Sequence, residues 1–415
     1  MQNDFWQIPE IQAILRTVAV PTYLVGGAVR DLLLGRSVKD FDFLVDCAPR
    51  DLLDLRGPLQ EATGRTVIVL DEQRGYLRVC QRGSDGDASS EGVDLAAREG
   101  DTVQADLTRR DITFNAMALS PSGEILDPFD GQEDLKKQRV KVTAPQVLED
   151  DPLRVLRVLR IAAELSFSIE PDTLRALSDF APGLSRVAGE RIGEELFRFL
   201  ANTDVWLLRA FVEANVHGAI WEDFPLPLPW LMEWIVARED AEQFPRTEDS
   251  VLSMLAAMLV PVGEEDPDRG EELLKRIKPS RAQIRFVRQW WRGCASLRAG
   301  LPDTAREIHA LGKLAGDSLP GLVQFAVLPT SELKFRPALA GRLRVALTGR
   351  GELSTDPLPL GGTELSQYWA REPGPWLKPL LDELEAAWAC REVSDVVALL
   401  DHSGEWLKRQ EAAKG

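Results

Sequence analysis

The chain of 415 residues contains few of the side chains that build metal clusters or disulfide networks. It has only four cysteines and three histidines. Cys47, Cys80, Cys294 and Cys390 are scattered without a Cys-x-x-Cys pair, so neither a zinc site nor a disulfide framework is indicated. None of the histidines is followed by Asp, which argues against a phosphohydrolase site built from clustered His and Asp ligands.

Long apolar segments are also missing. No hydrophobic run reaches membrane-spanning length, and the first residues lack the pattern of a signal peptide. A hydrophobic content of 44% is nevertheless ample for buried cores, and the length exceeds what one core usually serves. The sequence therefore predicts a cytoplasmic protein of several domains with no membrane contact.

The most informative stretch that is present reads GGAVRDLLLGRSVKDFD and begins at Gly26. A short apolar strand precedes it, and Gly26 and Gly27 would let the backbone approach a phosphate closely. Residues 28–34 are predicted to form a helix whose N-terminal amides face that anion. These features predict a binding site for a nucleoside triphosphate.

Two carboxylates follow at strand spacing. Residues 39–45 alternate as a second strand, which would send the side chains of Asp40 and Asp42 from the same face. Two such carboxylates repel each other unless a divalent cation lies between them, and Mg²⁺ accepts carboxylate, water and phosphate oxygens. The alternative is a solvated strand edge with two chance aspartates.

Four further blocks make the chain resemble the class II nucleotidyltransferases, which comprise the tRNA CCA-adding enzymes and the bacterial poly(A) polymerases. They read LTRRDITFNA, DPFDG, DDPLRVLR and ERIGEEL, and they occupy residues 107–116, 127–131, 150–157 and 190–196. The resemblance implies an α+β protein with a polymerase-β-like nucleotidyltransferase head built on a mixed sheet, followed by all-helical domains. We place the head at 1–142, the neck at 143–205, the body at 206–355 and the tail at 356–415.

The block at 150–157 has a physical reading of its own. A helix starting at Pro152 would hold Asp151 and Arg154 side by side, with Arg157 and Arg160 fanning around the same side. A carboxylate accepts from an exocyclic amine and a guanidinium donates to ring acceptors, so this pair favours CTP and ATP over UTP and GTP. The alternative is that Asp151 is an N-cap and the arginines pair with acidic surface groups.

In the resembled family the corresponding helix reads the incoming base. The resemblance further implies that Arg110 and Arg157 contact the triphosphate or ribose, and that Asp111 supports the site. Arg30 is an expected triphosphate contact beside the two glycines, and Asp94 is a weaker candidate for a third acid. The implied reaction is in-line attack of an RNA 3′-hydroxyl on the α-phosphorus, with Asp40 and Asp42 holding two Mg²⁺ ions.

A net charge of −17 is unusual for a protein expected to bind the 3′ end of tRNA, because phosphate contacts supply much of such affinity. The best local exception is an arginine stripe at helical spacing, which we predict to contact the tRNA backbone. The alternative is a solvated face balanced by acidic neighbours. The stripe consists of Arg281, Arg285, Arg288 and Arg292.

A second departure from the pattern of the resembled family bears on which nucleotides are added. Full CCA-adding enzymes carry a flexible loop before the RRD motif, and here only residues 96–108 lie there. The shortening resembles CC-adding enzymes, which leave the adenosine to a separate A-adding enzyme, and it favours CC addition. Complete CCA addition is the alternative, with residues 83–92 compensating for the short loop. Residues 360–381 resemble the tail of bacterial CCA-adding enzymes, so a poly(A) polymerase is a lesser alternative, as is an inactive RNA-binding relative.

Overall fold

The protein is described by a computed structural model covering residues 4–38, 40–82, 88–221, 226–237, 247–260, 266–326, 353–354 and 356–412. The chain divides into two compact units, Met1–Asp223 and Phe224–Gly415. The first unit therefore contains the predicted head and neck together with residues 206–223. The division into four domains remains a prediction.

A seven-stranded mixed sheet organises the head, as predicted. Its spatial order is β3-β4-β5-β2-β1-β6-β7, and within it β2 and β5 pair in parallel while the other neighbours are antiparallel. The strands are β1 (Thr22–Val25), β2 (Phe41–Val45), β3 (Val67–Asp71), β4 (Tyr76–Arg82), β5 (Ala88–Ala97), β6 (Ala118–Leu119) and β7 (Ile125–Leu126).

Apolar side chains on these strands explain why the sheet forms. Leu24, Phe43 and Leu95 are at most 1% exposed, and Val25 and Leu44 pack with Val103 and Leu107 of the helix at 103–108. Buried positions alternate along the end of β5 at Val93, Leu95 and Ala97, whereas β2 is buried from Phe43 to Val45 and leaves Phe41 and Asp42 half-buried. Six helices of the head are α1 (Pro9–Val18), α2 (Gly27–Leu33), α3 (Pro49–Asp54), α4 (Arg56–Thr63), α5 (Val103–Thr108) and α6 (Gly131–Lys136).

The neck region is mainly helical. Its helices, with two that follow it in the first unit, are α7 (Gln146–Asp150), α8 (Arg154–Leu165), α9 (Pro171–Phe180), α10 (Gly189–Asn202), α11 (Val205–Glu213) and α12 (Val216–Trp221). The prediction of an all-helical neck is wrong in one detail, because β9 (Ser168–Ile169) pairs in parallel with β8 (Arg139–Val140) at the end of the head. Helices α8 and α10 pack together, which brings the last two of the sequence motifs into contact.

The described part of the second unit is helical, as predicted for body and tail. Its helices are α13 (Leu228–Ala237), α14 (Glu248–Met258), α15 (Pro267–Lys275), α16 (Arg281–Ala299), α17 (Ala305–Ala315), α18 (Leu319–Ala326), α19 (Gly362–Tyr368), α20 (Leu377–Ala389) and α21 (Val396–Ala412). Ser280 forms a capping box with Gln283, which fixes the start of α16. Trp234, Trp290 and Phe325 pack in the interior of this unit.

The helices and the head sheet bear on two further predictions. Among the described residues, every helix is too short or too polar to span a bilayer. The predicted connection at residues 83–92 is shorter than expected, because 88–92 belong to β5, which pairs with β4 as in a hairpin. Residues 83–87 lie outside the described part of the chain.

Candidate active site

The diglycine turn lies between β1 and α2 and is shaped by the lack of side chains. Gly26 has φ +69°, a backbone conformation that side chains rarely adopt. A Cβ on Gly26 would lie 3.4 Å from a terminal nitrogen of Arg110, and one on Gly27 would lie 3.2 Å from a terminal nitrogen of Arg30. The glycines therefore keep the space between two arginines open, as a site for an anion requires.

Asp40 and Asp42 line the same cavity of about 630 Å³, together with Gly27 and Arg30. Strand β2 begins at Phe41 and not at residue 39, so Asp40 lies just before the strand and is exposed. Lys39 lies outside the described residues. The expected convergence of the two carboxylates on one site agrees with this geometry, although the strand itself holds only Asp42.

Burial and neighbouring negative charges disfavour the ionised form of Asp42. Burial raises the pKa of its carboxyl, and the nearby charges of Asp94 and Asp40 raise it further, while Arg110 and Arg78 act in the opposite direction. A divalent cation would relieve this repulsion.

Asp94 explains part of that repulsion. The register of β2 and β5 places it directly opposite Asp42, and the antiparallel register of β4 and β5 places Arg78 opposite Asp94. Arg78 binds both carboxylate oxygens of Asp94, with Nε to Oδ1 at 2.6 Å and Nη2 to Oδ2 at 2.7 Å. Asp94 is therefore close to the site, but its carboxylate is already paired.

A second cavity of about 310 Å³ adjoins the first at Gly27 and Asp42, which line both. Its wall carries four guanidinium groups and three carboxylates, from the head, from α8 and from α10. The lining residues are Gly26, Gly27, Asp42, Arg110, Asp111, Asn115, Asp151, Arg154, Arg157 and Arg191. The structure thus brings the glycine turn, the RRD motif and the arginine-bearing helix together, as the sequence predicted.

Asp111 is the buried support of this wall, with 6% of its surface exposed. Its carboxylate accepts from Nε of Arg157 at 3.0 Å, from the amide nitrogen of Asn115 at 3.4 Å and from the backbone of Ile112 at 3.0 Å. Burial by itself would raise the pKa of Asp111, but the charge and hydrogen bond of Arg157 outweigh it and hold the pKa below its usual value. Arg157 is consequently fixed toward the cavity by an ionised partner.

The base-reading pair is arranged differently from the predicted helix. Asp151 directly follows α7, and α8 begins only at Arg154, so Asp151 lies in the bend between two helices. Its Oδ1 accepts from the backbone of Leu153 at 3.2 Å, and its Oδ2 accepts from Nη2 of Arg191 at 2.8 Å. Arg154 donates to the carbonyl of Val147 at 2.9 Å. Asp151 and Arg154 therefore line one cavity, but each is held by another partner.

Arg30 and Arg110 each form an ion pair with an aspartate. Arg30 donates to both oxygens of Asp31 at 2.9 Å and lines the larger cavity, while Arg110 lies 3.2 Å from Asp106 and lines the smaller one. Both guanidinium groups therefore have fixed positions beside the glycine turn.

Arg160 is not brought to either cavity. It is buried and donates to Glu195 at 2.5 Å and to Glu164 at 2.7 Å, so it belongs to the packing of α8 against α10. The reason is helical geometry, since each step of three residues turns the side chain about 60° further around the helix. After two steps beyond Arg154, the side chain faces α10.

Sequence reasoning missed several residues of the lining. Arg191 and Asn115 lie inside motifs that were identified, but no chemical role was assigned to them. Arg36 and Arg198 line the larger cavity beside Asp40. The signal for Arg191 was its place in the ERIGEEL block, whereas nothing local indicates that Arg198 would reach the carboxylates.

The donor set fits a divalent cation that is shared with a phosphate. No group of three or more His, Cys, Asp or Glu side chains close enough to hold a metal is found among the described residues. Two carboxylates with a raised pKa at one of them would supply part of a magnesium shell, and water and phosphate oxygens would complete it. Asp40 and Asp42 are the residues that would hold such an ion.

The arginine stripe of the second unit lies along α16. Arg281, Arg285 and Arg292 are exposed and have no ion-pair partner within the described ranges. Arg288 differs, because its Nη1 lies 2.5 Å from Glu271. Three of the four arginines are therefore exposed to solvent, and Arg288 is half-buried.

Two family models match the first unit. One is described as "Poly A polymerase head domain" and matches residues 22–141, and the other is described as "Probable RNA and SrmB- binding site of polymerase A" and matches residues 166–220. The first covers the sheet and the carboxylates, and the second covers the helices that follow α8.

Curated relatives extend the similarity over the whole chain. A CC-adding tRNA nucleotidyltransferase of Synechocystis sp. is 30% identical over 424 residues, covering 96% of each chain. A CC-adding tRNA nucleotidyltransferase of Geobacter sulfurreducens is 39% identical over 220 residues, which span 52% of this chain and about half (49%) of that relative. Among solved structures, the Bacillus stearothermophilus CCA-adding enzyme in complex with CTP is similar in fold, with a TM-score of 0.71, 22% identity and full coverage of both chains.

Proposed function

Because this chain belongs to the family of CC- and CCA-adding tRNA nucleotidyltransferases, we propose that it transfers two CMP residues from CTP to the 3′ end of tRNA. The observation that carries the proposal is the union of the carboxylates Asp40 and Asp42 with the Asp151–Arg154 pair around two adjoining cavities. The glycine turn borders both cavities at Gly27. The larger cavity adds Asp40 and Arg30, and the smaller one adds donors and acceptors that suit a base.

The residues divide the work of binding between them. Gly26, Gly27 and Arg30 hold the triphosphate, because the turn is open and the guanidinium lies beside it. Arg110 and Arg157, which line the smaller cavity together with the two glycines, contact phosphate or ribose. These guanidinium groups neutralise charge that the transferred group develops in the transition state.

Base selection follows from hydrogen-bond chemistry. An ionised Asp151 can only accept, so it pairs with the exocyclic amine of cytosine or adenine and repels the carbonyl oxygen of uracil or guanine. Arg154 supplies donors to the acceptors of the same base edge. No nucleic-acid template is needed, since Asp151 and Arg154 present the hydrogen-bonding groups that a template base would otherwise supply.

The reaction joins the tRNA and the nucleotide directly. The 3′ oxygen of the tRNA forms a bond to the α-phosphorus of CTP while the bond to the departing pyrophosphate breaks. Magnesium, held by Asp40 and Asp42, would activate the attacking oxygen and stabilise the leaving one. The protein orients the α-phosphorus beside these carboxylates, which is where positioning lowers the barrier.

We assign the CC subtype on the short connection before the RRD motif. Between the end of β5 at Ala97 and the start of α5 at Val103, only residues 98–102 lie outside regular structure. Such a segment offers little length for a loop that would readjust the base-reading residues for ATP. The Synechocystis relative, which matches along 96% of its length, carries the CC-adding name.

The test uses a tRNA transcript that ends before its CCA, incubated with Mg²⁺ and CTP alone or with CTP plus labelled ATP. Two cytidines are expected in both reactions, without labelled adenosine. A terminal adenosine would show complete CCA addition and refute the CC subtype. Long adenosine tails on unrelated RNA would indicate a poly(A) polymerase, and absence of pyrophosphate release with CTP would indicate an inactive relative.

A further inference from the structure

We propose that Arg191 is a positioning residue that makes Asp151 selective for bases with an exocyclic amine. The inference rests on the proposed nucleotidyl transfer and deepens it, because it names a specificity determinant in the neck. Arg191 lies near the start of α10, and its Nη2 is 2.8 Å from Oδ2 of Asp151. Both side chains line the cavity that also contains Arg154.

Two contacts orient the Asp151 carboxylate. Arg191 binds Oδ2, and the backbone N–H of Leu153 binds Oδ1 at 3.2 Å. One contact on each oxygen defines the plane of the group, and a backbone contact alone would leave it free to rotate. Among the described residues, Arg191 is the one side chain that hydrogen-bonds this carboxylate.

Arg154 does not perform this task, although the spacing suggests it. Its Nη1 donates to the carbonyl of Val147 at 2.9 Å, so it is directed to α7. The pair that the sequence predicts to read a base is therefore held by two contacts outside the pair. The contact that determines the orientation of the acceptor comes from another helix.

The orientation determines which base fits. Each carboxylate oxygen accepts two hydrogen bonds, so Oδ1 and Oδ2 each keep one acceptor position when Arg191 and Leu153 are bound. Those positions suit the amine of cytosine and repel the oxygen that uracil carries at the same place. If the carboxylate rotates away, cytosine loses a hydrogen bond and uracil loses a repulsion. Both changes lower the preference for CTP over UTP.

The experiment compares CTP with UTP in the full-length protein and in Arg191→Gln. Equilibrium dissociation constants are measured by calorimetry without tRNA, and kcat/KM is measured for single-nucleotide addition to tRNA lacking CCA. We expect the CTP-to-UTP ratio to fall about fivefold in both assays, the size of one partly exposed charge-assisted contact, because the two side chains are 53% and 32% exposed. Arg175→Gln is the matched control, because Arg175 is 73% exposed, pairs with Asp172 on α9 and lies outside both cavities. Its ratio should equal that of the unmodified protein.

A ratio that stays constant, or equal losses for CTP and UTP, would overturn the inference and leave Arg191 a structural residue. If circular dichroism shows that Arg191→Gln is unfolded, Arg191→Lys decides, since it keeps the charge but not the planar fork. It should lower the ratio about threefold, and an unchanged ratio overturns the inference. If the unmodified protein binds CTP selectively but transfers nothing, the proposed transfer fails, and the calorimetric CTP-to-UTP ratio of Arg191→Gln alone then decides the inference.

Discussion

Arginines in the two units of this protein differ in what holds them. Around the two cavities of the first unit, Arg30, Arg110, Arg157 and Arg191 each pair with an aspartate. On α16 of the second unit, three of the four arginines of the stripe are exposed without an ion-pair partner in the described ranges. A paired guanidinium has a fixed direction, which suits one small ligand, whereas an unpaired one suits the diffuse charge of a nucleic-acid backbone.

The comparison also explains how a chain with a net charge of −17 can present basic sites. In the first unit, Asp31, Asp111 and Asp151 line the cavities beside the arginines that they bind, and the ion pairs hold the guanidinium groups there. Near α16, the acidic residue Glu271 forms ion pairs with Arg288 and Lys275. The total charge therefore says little about the local field at either surface.

The largest effect is expected at the carboxylates that the paired arginines surround. Asp42→Ala should lower nucleotide incorporation roughly 1,000-fold, about 4 kcal/mol, because the metal-holding group is lost. Because the pKa of Asp42 is raised in the folded protein, its ionised form costs stability at neutral pH, and the variant should melt at the same temperature or higher. Incorporation assays and thermal melting measure both, and Asp101→Ala, at an exposed bend, is the control. Substantial residual activity would contradict the assignment.

The second prediction concerns a pair that fixes an arginine. Arg157→Met should destabilise the protein by about 2 kcal/mol, less than a fully buried pair, because the Arg157 side chain is 38% exposed while Asp111 is left buried alone. The pKa of Asp111 is lowered in the folded state, so this stabilisation exists above the unfolded value near ~4 and is lost as pH falls below it. Urea unfolding at pH 7 and at low pH measures the difference. If Arg157→Met with Asp111→Asn is no more stable than Arg157→Met alone, the pair does not account for the loss.

The third prediction separates paired from unpaired arginines on one helix. Arg285→Gln should weaken tRNA binding severalfold and reduce the slope of log affinity against log salt by about 0.7 to 0.9, the value for one phosphate contact. Arg288→Gln should change both quantities less, because Glu271 already neutralises Arg288. Filter binding over a range of salt concentrations measures both. Equal slopes for the two variants would remove the distinction, and unchanged binding in both would remove the stripe from the tRNA interface.

The smallest effect is expected where an arginine of the second unit is paired at the surface. Arg306 binds Glu383 at 3.0 Å and Glu392 at 2.5 Å, which joins α17 to α20 and to the turn that follows it. Arg306→Met should cost less than about 1 kcal/mol, since the side chain is 38% exposed and the pair is screened. Denaturant midpoints at low and high salt measure this, with a smaller difference at high salt. A loss that does not depend on salt would indicate packing instead of charge.

Sequence reasoning predicted the mixed sheet, the helical remainder and the family. It also predicted that the glycine turn, the RRD motif and the arginine-bearing helix lie around one site, and the structure places them around one cavity. These features depend on local patterns, such as the glycine turn and the apolar run from Phe43 to Val45. The prediction failed where a side chain is bound by a residue from an element that is distant along the chain. Arg160 was grouped with Arg154 and Arg157 by its spacing, but the packing of α10 supplies Glu195 and removes it from the cavity.

The sequence by itself determined which residues could do the chemistry, because a turn, a strand and a helix start are set by neighbours a few positions apart. Only the tertiary structure decided how they are paired. The register of β2 with β5 sets Asp94 against Asp42, and α10 brings Arg191 to Asp151, 40 residues away along the chain. Such contacts depend on how elements pack, and no local pattern of residues encodes the direction from which a distant side chain arrives.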